Sequence, residues 1–431
     1  MASPVRFGTD GIRGRAFSDI TPALAYRLGR AVAEVLAMPV VVGYDTRESS
    51  PVLARALIAG LVDGGVSATN LGVFTTPGVA VIAQRRGGCG VVVSASHNPY
   101  FDNGLKVLGP GGAKLDVLTE KSLENVLHRT ADPETLEFVD TPIDESAEAE
   151  YVDHLRALVP DDLSALHVVL DCANGASSHV AHELFAATGA RVTTLHNEPD
   201  GVNINNGCGS THPDDLARRV VELGADLGLA FDGDADRLIA VDSEGRLRDG
   251  DDVMVLFAAE EERGDRGLVV TTMSNLGLHR AMEEVGVEVV ETEVGDRNVL
   301  VGLEERGWVL GGEQSGHIIF RHLSPTGDGL LTGLKVAALV ARRGPLGDLC
   351  DERWRRLPQR LVNVTADVYD DASVRSLFAQ VRERHAVSET DVRLFIRRSG
   401  TEPLVRVMFE STSPELVEEF TQSLRELFDL A

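Results

Sequence analysis

Ser96, His97 and Lys106 are the residues whose types and spacing most directly imply chemistry. The apolar run Val91-Val92-Val93 reads as a buried parallel strand that ends abruptly in Ser94-Ala95-Ser96-His97-Asn98-Pro99. In open α/β sheets, ligands bind beyond the carboxyl ends of the strands, so Ser96 stands where a reaction would take place. Asp102-Asn103-Gly104 reads as a turn that brings Lys106 back toward it. A hydroxyl, an imidazole and an amine converging at a strand end point to phosphoryl or acyl transfer through serine. The plain alternative is an Asn/Pro/Gly loop that only reverses the chain.

Asp232-Gly233-Asp234-Ala235-Asp236-Arg237 follows another apolar strand and sets carboxylates at alternate positions. Extended-turn geometry aims alternate side chains at one point, and hard divalent cations take oxygen ligands. An EF-hand would need glycine at Arg237 and glutamate at Ser243, and it has neither. Mg²⁺ fits best, with phosphate supplying further ligands. A solvated acidic turn is the alternative.

Gly311-Gly312-Glu313-Gln314-Ser315-Gly316-His317 also follows an apolar run; Glu313 and Ser315 suit neighbouring sugar hydroxyls, and His317 suits phosphate binding or proton movement. Arg397-Arg398-Ser399-Gly400-Thr401-Glu402-Pro403, with Arg406 nearby, offers guanidinium forks, hydroxyls and freed backbone N–H groups to a phosphate. A charged surface turn and a structural histidine are the respective alternatives. No lysine follows a glycine, so there is no Walker A loop, and no GxGxxG opens a helix after a strand.

The elements that must hold these loops alternate along the chain. Strand-like runs at Val40, Val91, His167, Leu227, Leu268 and Trp308 each deliver a polar or glycine-rich turn. Helical patterns lie between them, which implies βαβ units and parallel sheets. Thr21-Pro22 opens a helix with Leu24, Leu28, Val32 and Val35 on its apolar face; Ser50-Pro51 opens another that runs to Gly64-Gly65, and a third covers about 213 to 223. Several such domains facing one cleft could be an internally repeated architecture, although no sequence periodicity proves it. Acidic, proline-containing stretches near Asp132 to Glu150 and after residue 358 mark boundaries. The final segment reads as a small α+β domain, with strands in VNVTADV, RLFIR and VRVMFE, a helix near 371 to 384 and a C-terminal helix.

The 431 residues suggest about three domains, with four not excluded. The net charge of −26 argues against nucleic acid as the main partner, since no basic stripe offsets it. A locally positive cleft would still admit an anionic substrate. The only lysines are Lys106, Lys114, Lys121 and Lys335. Cys89, Cys172, Cys208 and Cys350 form no CxxC pair and read as small buried residues or free thiols. No run approaches ~20 apolar residues, so no membrane span is expected. MASPVRFGTDGIRG lacks signal-peptide features, so cytoplasmic residence is the default expectation.

Taken together and in order, GTDGIRG at Gly8, SASHNP, DGDADR, GGEQSGH and RRSGTEP resemble the α-D-phosphohexomutase family over nearly the whole chain. ASHNPYFDNGLK, GVNINNGCGSTHP from Gly201, EVGDRNV from Glu293, Gln314 and TGDG at Thr326 most resemble its bacterial members that act on hexosamine phosphates. The resemblance implies three α/β domains around a central cleft plus a smaller C-terminal domain, with divisions at 1–148, 149–248, 249–358 and 359–431. It implies that Ser96 is carried as phosphoserine and that one Mg²⁺ is held by Asp232, Asp234, Asp236 and a phosphoserine oxygen. Arg13, His97, Lys106 and Arg237 would line the transfer site, with Lys106 and His317 as proton carriers. Glu313 and Ser315 would hold sugar hydroxyls. Arg397, Ser399, Gly400, Thr401 and Arg406 would grip the distal phosphate. The implied substrate is a hexosamine phosphate, with glucosamine 1,6-bisphosphate as intermediate and activator. The donor or kinase that first phosphorylates Ser96 is not implied, and monomer and homodimer stay open.

Two residues depart from the family pattern. Ala235 stands where glycine is usual and is tolerated if its φ is negative. Arg398 stands where those hexosamine members carry proline, adding charge and removing a rigid turn. The alternatives are the same machinery acting on mannose or glucose phosphates, a serine-dependent phosphatase, and a non-catalytic sugar-phosphate sensor.

Overall fold

The computed structural model describes residues 7–8, 11–138, 141–260, 266–398 and 403–429. Its first sheet has the order β1-β5-β4-β2-β3, from β1 (Ile12–Arg15), β2 (Val40–Tyr44), β3 (Ala68–Val73), β4 (Cys89–Val93) and β5 (Asp102–Leu108). The second has the order β10-β9-β8-β6-β7, from β6 (His167–Asp171), β7 (Arg191–Leu195), β8 (Leu227–Phe231), β9 (Leu238–Asp242) and β10 (Leu247–Arg248). The third has the order β12-β11-β13-β14, from β11 (Gly267–Thr271), β12 (Glu288–Thr292), β13 (Leu310–Gly312) and β14 (Ile318–Phe320).

These sheets repeat one plan. In each, a central parallel strand (β2, β6, β11) is flanked by two parallel neighbours, and the second neighbour (β4, β8, β13) pairs on its far side with an antiparallel strand (β5, β9, β14). The short link across that last pair is the polar loop in every case: Ser94–Phe101, Asp232–Arg237 and Glu313–His317. The repetition that leaves no sequence periodicity is therefore plain in the topology. β15 (Gln359–Thr365), β16 (Val392–Arg398) and β17 (Leu404–Ser411) form a fourth, all-antiparallel sheet of order β15-β17-β16. It packs with α13 (Asp371–His385) and α14 (Pro414–Leu427).

The helices start and stop where side chains satisfy backbone groups. Thr21 accepts from the Leu24 N–H at 3.1 Å, and Pro22 opens α1 (Pro22–Leu36). Leu24, Leu28 and Val32 are buried as expected, and Val35 is half-buried at the rim. α2 (Ser50–Asp63) ends at Gly64. α7 (Asp214–Leu223) ends on Gly224, whose φ of +57° lets it cap the last turn in the left-handed region. Asp102-Asn103-Gly104 differs from expectation. These residues open β5 rather than turn, pairing with β1 through Asn103↔Gly14 and Gly104↔Arg13. The Asn103 amide is taken by the Ser49 and Ser50 hydroxyls at 2.8 and 2.9 Å, so tertiary bonds override local turn preference. The reversal lies earlier, at 96–101.

The first three units share a continuous apolar core that joins Val81 and Phe74, Leu170 and Phe231, and Val270, Leu310 and Leu334. The fourth has its own core around Val381, Val407, Phe409 and Phe420. It meets the third largely through polar contacts: Arg280–Asp391 at 2.6 Å, Arg393–Glu291 at 2.8 Å and the Leu276 N–H to Glu410 at 3.3 Å. The cysteines are buried free thiols. No described helix is long and apolar enough to cross a membrane.

Candidate active site

Val93, the last residue of β4, delivers Ser96 into a turn of unusual geometry. Ser96 has φ +54°, costly for a residue with a Cβ, and is fully buried. Its N–H bonds the Ser94 hydroxyl at 3.0 Å. Its hydroxyl donates to Asp232 Oδ2 at 2.6 Å and lies 3.2 Å from His97 Nδ1. A non-glycine residue held in the left-handed region at a strand end marks a site that accepts strain for function.

The 232–237 loop meets Ser96 from the second sheet. Asp234 Oδ2 accepts the Lys106 ammonium at 2.7 Å and the Thr76 hydroxyl at 2.6 Å. Lys106 also reaches Asp236 Oδ2 at 3.4 Å. The Arg237 N–H bonds Asp232 Oδ1 at 3.2 Å. Burial, then the charges of Asp236 and Asp234, push the Asp232 carboxyl up to about 8. Burial also opposes ionisation of Asp236, but Lys106, His317 and Arg237 hold it well below the usual carboxylate range.

These residues fit a divalent cation. Oxygens of Asp232, Asp234 and Asp236 lie within 4.8 Å of one another, all buried. Asp234 Oδ1 and Asp236 Oδ1 are buried without hydrogen-bond partners. Orphaned buried carboxylate oxygens beside a carboxyl that resists ionisation are what a hard cation would satisfy.

Ala235 has φ +58° and is fully buried. The condition under which alanine would be tolerated without strain is therefore not met. The loop needs a left-handed residue here, and Ala235 adopts that conformation against its Cβ. Its carbonyl accepts the Gly329 N–H at 3.0 Å, fixing the strained turn to the start of α11 (Gly329–Arg343).

The third loop closes the other side. His317 Nδ1 lies 3.6 Å from Asp236 Oδ1, and Nε2 lies 3.8 Å from Asp296 Oδ2. Burial disfavours its charge, but its contact with Asp236 and the charges of Asp236, Asp296 and Glu313 raise it to about 9. Gly327 gives this ring room, since a Cβ there would lie 2.4 Å from Nε2. Glu313 Oε1 accepts the Gly295 N–H at 3.0 Å, and the Ser315 hydroxyl lies 3.5 Å from Oε2. His97 behaves oppositely to His317: burial, then Arg237 and Arg13, lower it to about 4. Arg13, on β1 beside Gly104, completes this cationic wall.

The structure thus brings Ser96, His97, Lys106, Arg13, Asp232, Asp234, Asp236, Arg237 and His317 together, with Glu313 and Ser315 in the adjoining loop. Arg397 and Arg406 lie in the fourth sheet as direct cross-strand partners. Like charges set opposite each other disfavour a sheet, and an anion between them would remove the penalty. Arg398 extends β16 and pairs with Val405. Ser399, Gly400 and Thr401 lie outside the described residues. Thr76, Asp296, Arg47 and Asn205 escaped the sequence reading. Thr76 sits in a TTPG helix start, and Asp296 in EVGDRNV, whose motif alone gave it no role.

Comparison with known proteins agrees in order and extent. Models of phosphoglucomutase/phosphomannomutase α/β/α domains I, II and III match residues 4–134, 149–245 and 249–357, and that of the C-terminal domain matches 361–427. A phosphoglucosamine mutase of Exiguobacterium sp. is 45% identical over 97% of this chain and 98% of its own length. One from Rhodococcus erythropolis is 44% identical over 98% of each. A solved phosphoglucomutase/phosphomannomutase family protein of Burkholderia thailandensis superposes with a TM-score of 0.82 at 26% identity, covering 99% of this chain and 97% of that one. Aspergillus fumigatus N-acetylphosphoglucosamine mutase, solved with GlcNAc-6P and magnesium, shares the fold with a TM-score of 0.68 at 19% identity, covering 99% of this chain and 96% of that one. With all four of its domains matched in sequence order, the chain belongs to the phosphoglucomutase/phosphomannomutase family of α-D-phosphohexomutases.

Proposed function

We propose that this chain is an intramolecular phosphotransferase that interconverts glucosamine 6-phosphate and glucosamine 1-phosphate through phosphorylated Ser96, supplying the synthesis of UDP-N-acetylglucosamine. The observation that carries the reading is the Ser96 hydroxyl 2.6 Å from the Asp232 carboxylate, inside a buried cluster of carboxylates and cations drawn from three sheets.

In the forward step the substrate's 6-phosphate sits on Arg397, Ser399, Gly400, Thr401 and Arg406, and O1 faces phosphorylated Ser96. The P–O1 bond forms as the P–Oγ bond to Ser96 breaks; O1 gives its proton to a neutral base of the site, and the departing Ser96 oxygen takes one back, so the hydroxyl is restored. Lys106 and His317 are the proposed proton carriers: each lies against Asp236 and, when protonated, can give its proton to the Ser96 oxygen. His97 is neutral near pH 7 and stands next to the Ser96 oxygen, so it can take the hydroxyl proton when Ser96 is the attacking group. Arg13, Arg237 and Lys106 stabilise the equatorial phosphoryl oxygens; positioning and electrostatics carry most of the rate in such transfers. Asp232, Asp234 and Asp236 would hold Mg²⁺, which supplies Lewis-acid stabilisation of phosphoryl charge when bound. The 1,6-bisphosphate then turns end for end and returns its 6-phosphoryl group to Ser96. Glu313 and Ser315 hold hydroxyls in both orientations of the ring. The division of the chain at 148, 248 and 358 belongs to the same proposal.

The test is a competition assay. Phosphorylated protein with Mg²⁺ and trace bisphosphate receives glucosamine, glucose and mannose 6-phosphates together, and 31P NMR follows each 1-phosphate. Preference for glucosamine supports the reading. Preference for glucose or mannose keeps the chemistry and overturns the substrate. Release of inorganic phosphate alone overturns the mutase.

A further inference from the structure

The carbonyl oxygens of Ser96 and Asn98 bracket His97, and the same two side chains grip both. Arg47 Nη2 donates to the Ser96 carbonyl at 3.2 Å and to the Asn98 carbonyl at 2.6 Å. Asn205 Nδ2 donates to the same pair at 2.9 and 3.2 Å. Arg47 comes from the end of β2 in domain I and is fully buried, with its guanidinium paired to Asp45. Asp45 is itself fixed by the Ser50 hydroxyl at 2.7 Å, and its N–H bonds the Val93 carbonyl at 3.1 Å.

Asn205 comes from domain II and is equally constrained. Its own N–H bonds the Ala173 carbonyl at 2.9 Å. Farther along its loop the Gly209 N–H bonds Asp171 at 2.9 Å, and the Ser210 N–H bonds the Phe231 carbonyl at 2.8 Å, directly ahead of Asp232. The metal-binding loop completes the cage: a Cβ on Gly233 would lie 2.5 Å from the Ser96 carbonyl and 2.9 Å from Asn205 Nδ2. Only glycine lets the three segments meet this closely.

We propose that Arg47 and Asn205 are positioning residues for phosphoryl transfer. They hold the carbonyls on either side of His97, keep Ser96 in its left-handed conformation, and so aim its oxygen at Asp232. Neither side chain touches the reacting atoms. Their grip on one loop from two domains links the relative placement of those domains to the position of the nucleophile. Displacement of a reacting atom by about 1 Å costs on the order of 100-fold in rate.

This inference rests on Ser96 as the phosphoryl carrier, and the experiment separates the two. Asn205→Ala removes one donor; Asn205→Asp keeps the volume but turns an acceptor toward two carbonyls; Arg47→Lys keeps the charge and loses the fork. Each Mg²⁺-loaded variant is assayed with glucosamine 6-phosphate, with kcat expressed per phosphorylated Ser96 measured by intact mass, and with its melting curve recorded. The expected result is a kcat loss of about 10- to 100-fold in both Asn205 variants, larger in Asn205→Asp, with KM within about twofold. Normalisation per phosphorylated, folded enzyme removes a purely structural effect. A normalised kcat within twofold of the parent in both Asn205 variants, or a KM rise at constant kcat, overturns the proposal even if Arg47→Lys fails to fold. Persisting turnover in Ser96→Ala would instead overturn the phosphoserine reading.

Discussion

The centre around Ser96 and the arginine pair of the fourth sheet both face phosphate in this account, yet they are built in opposite ways. The Ser96 centre is buried, drawn from three sheets that share one apolar core, and cross-braced by Lys106, Thr76, Asp232 and Asp234. Arg397 and Arg406 stand on a half-exposed sheet with a separate core, joined to the third unit through ion pairs. Apolar burial of a single Leu or Phe contributes about 1.5–3 kcal/mol, whereas an exposed ion pair contributes about 0–1 kcal/mol. The three-sheet body is therefore the more tightly held of the two. The fourth unit is joined more weakly, which suits the proposed grip on either end of a turning bisphosphate.

The largest effect that sharpens this contrast belongs to the Ser96 centre. Asp232→Asn should lower kcat by about 10²- to 10³-fold. The same change should stabilise the metal-free protein. The parent carboxyl is pushed up to about 8, so ionising it in the folded state costs stability progressively as pH rises from its unfolded value toward 8. Melting of both proteins in EDTA between pH 5 and 9 measures this, and a gap that fails to widen with pH contradicts the electrostatic picture.

At the proposed distal grip, Arg406→Ala should remove a charge-assisted phosphate contact worth about 1.5–3 kcal/mol. KM should rise about 10- to 100-fold, with kcat changed by much less. A matching fall in kcat would mean that the arginine acts in the chemical step, and the two regions would then not differ as described.

Smaller effects test local strain. Ala235→Gly frees a buried left-handed residue, and should add about 0.5–1 kcal/mol to domain II stability while leaving kcat within twofold. Unchanged or lower stability would mean that the loop is not strained at this position. The smallest effect concerns His196, behind the loop that carries Asn205. Its bond to Asp171 raises it above 6.5 against the cost of burial, with help from the charges of Asp171 and Asp215. Its contribution is therefore present in full below pH 6.5 and lost as pH rises through the folded value. The stability difference between parent and His196→Gln should shrink as pH rises past 6.5 and through the folded value, and a difference independent of pH would rule out the ion pair.

Much of the site was legible because its signals are local. Val91–Val93 announces a buried strand, and alternate carboxylates at 232, 234 and 236 announce a cation loop. What stayed hidden depends on distance along the chain or on backbone angle. Thr76 reaches Asp234 from 158 positions away, and Asn205 reaches Ser96 from 109. Neither pairing leaves a spacing to read. The left-handed φ of Ala235 is imposed by its tertiary bonds, and the pairing of Asn103 with β1 turned an apparent turn into strand. The threefold repeat of sheet plan leaves no trace in the sequence, since only topology, not residue identity, is repeated.

The central claim is that the phosphoryl group passes through Ser96. Protein labelled with 32P from glucosamine 1,6-bisphosphate, loaded with Mg²⁺ and mixed with unlabelled glucosamine 6-phosphate, can be quenched within a single turnover and digested. The account predicts label on the Ser96 peptide that leaves at least as fast as kcat and appears in the sugar bisphosphate. Label that stays on the protein through many turnovers, or that resides on another residue, would contradict it.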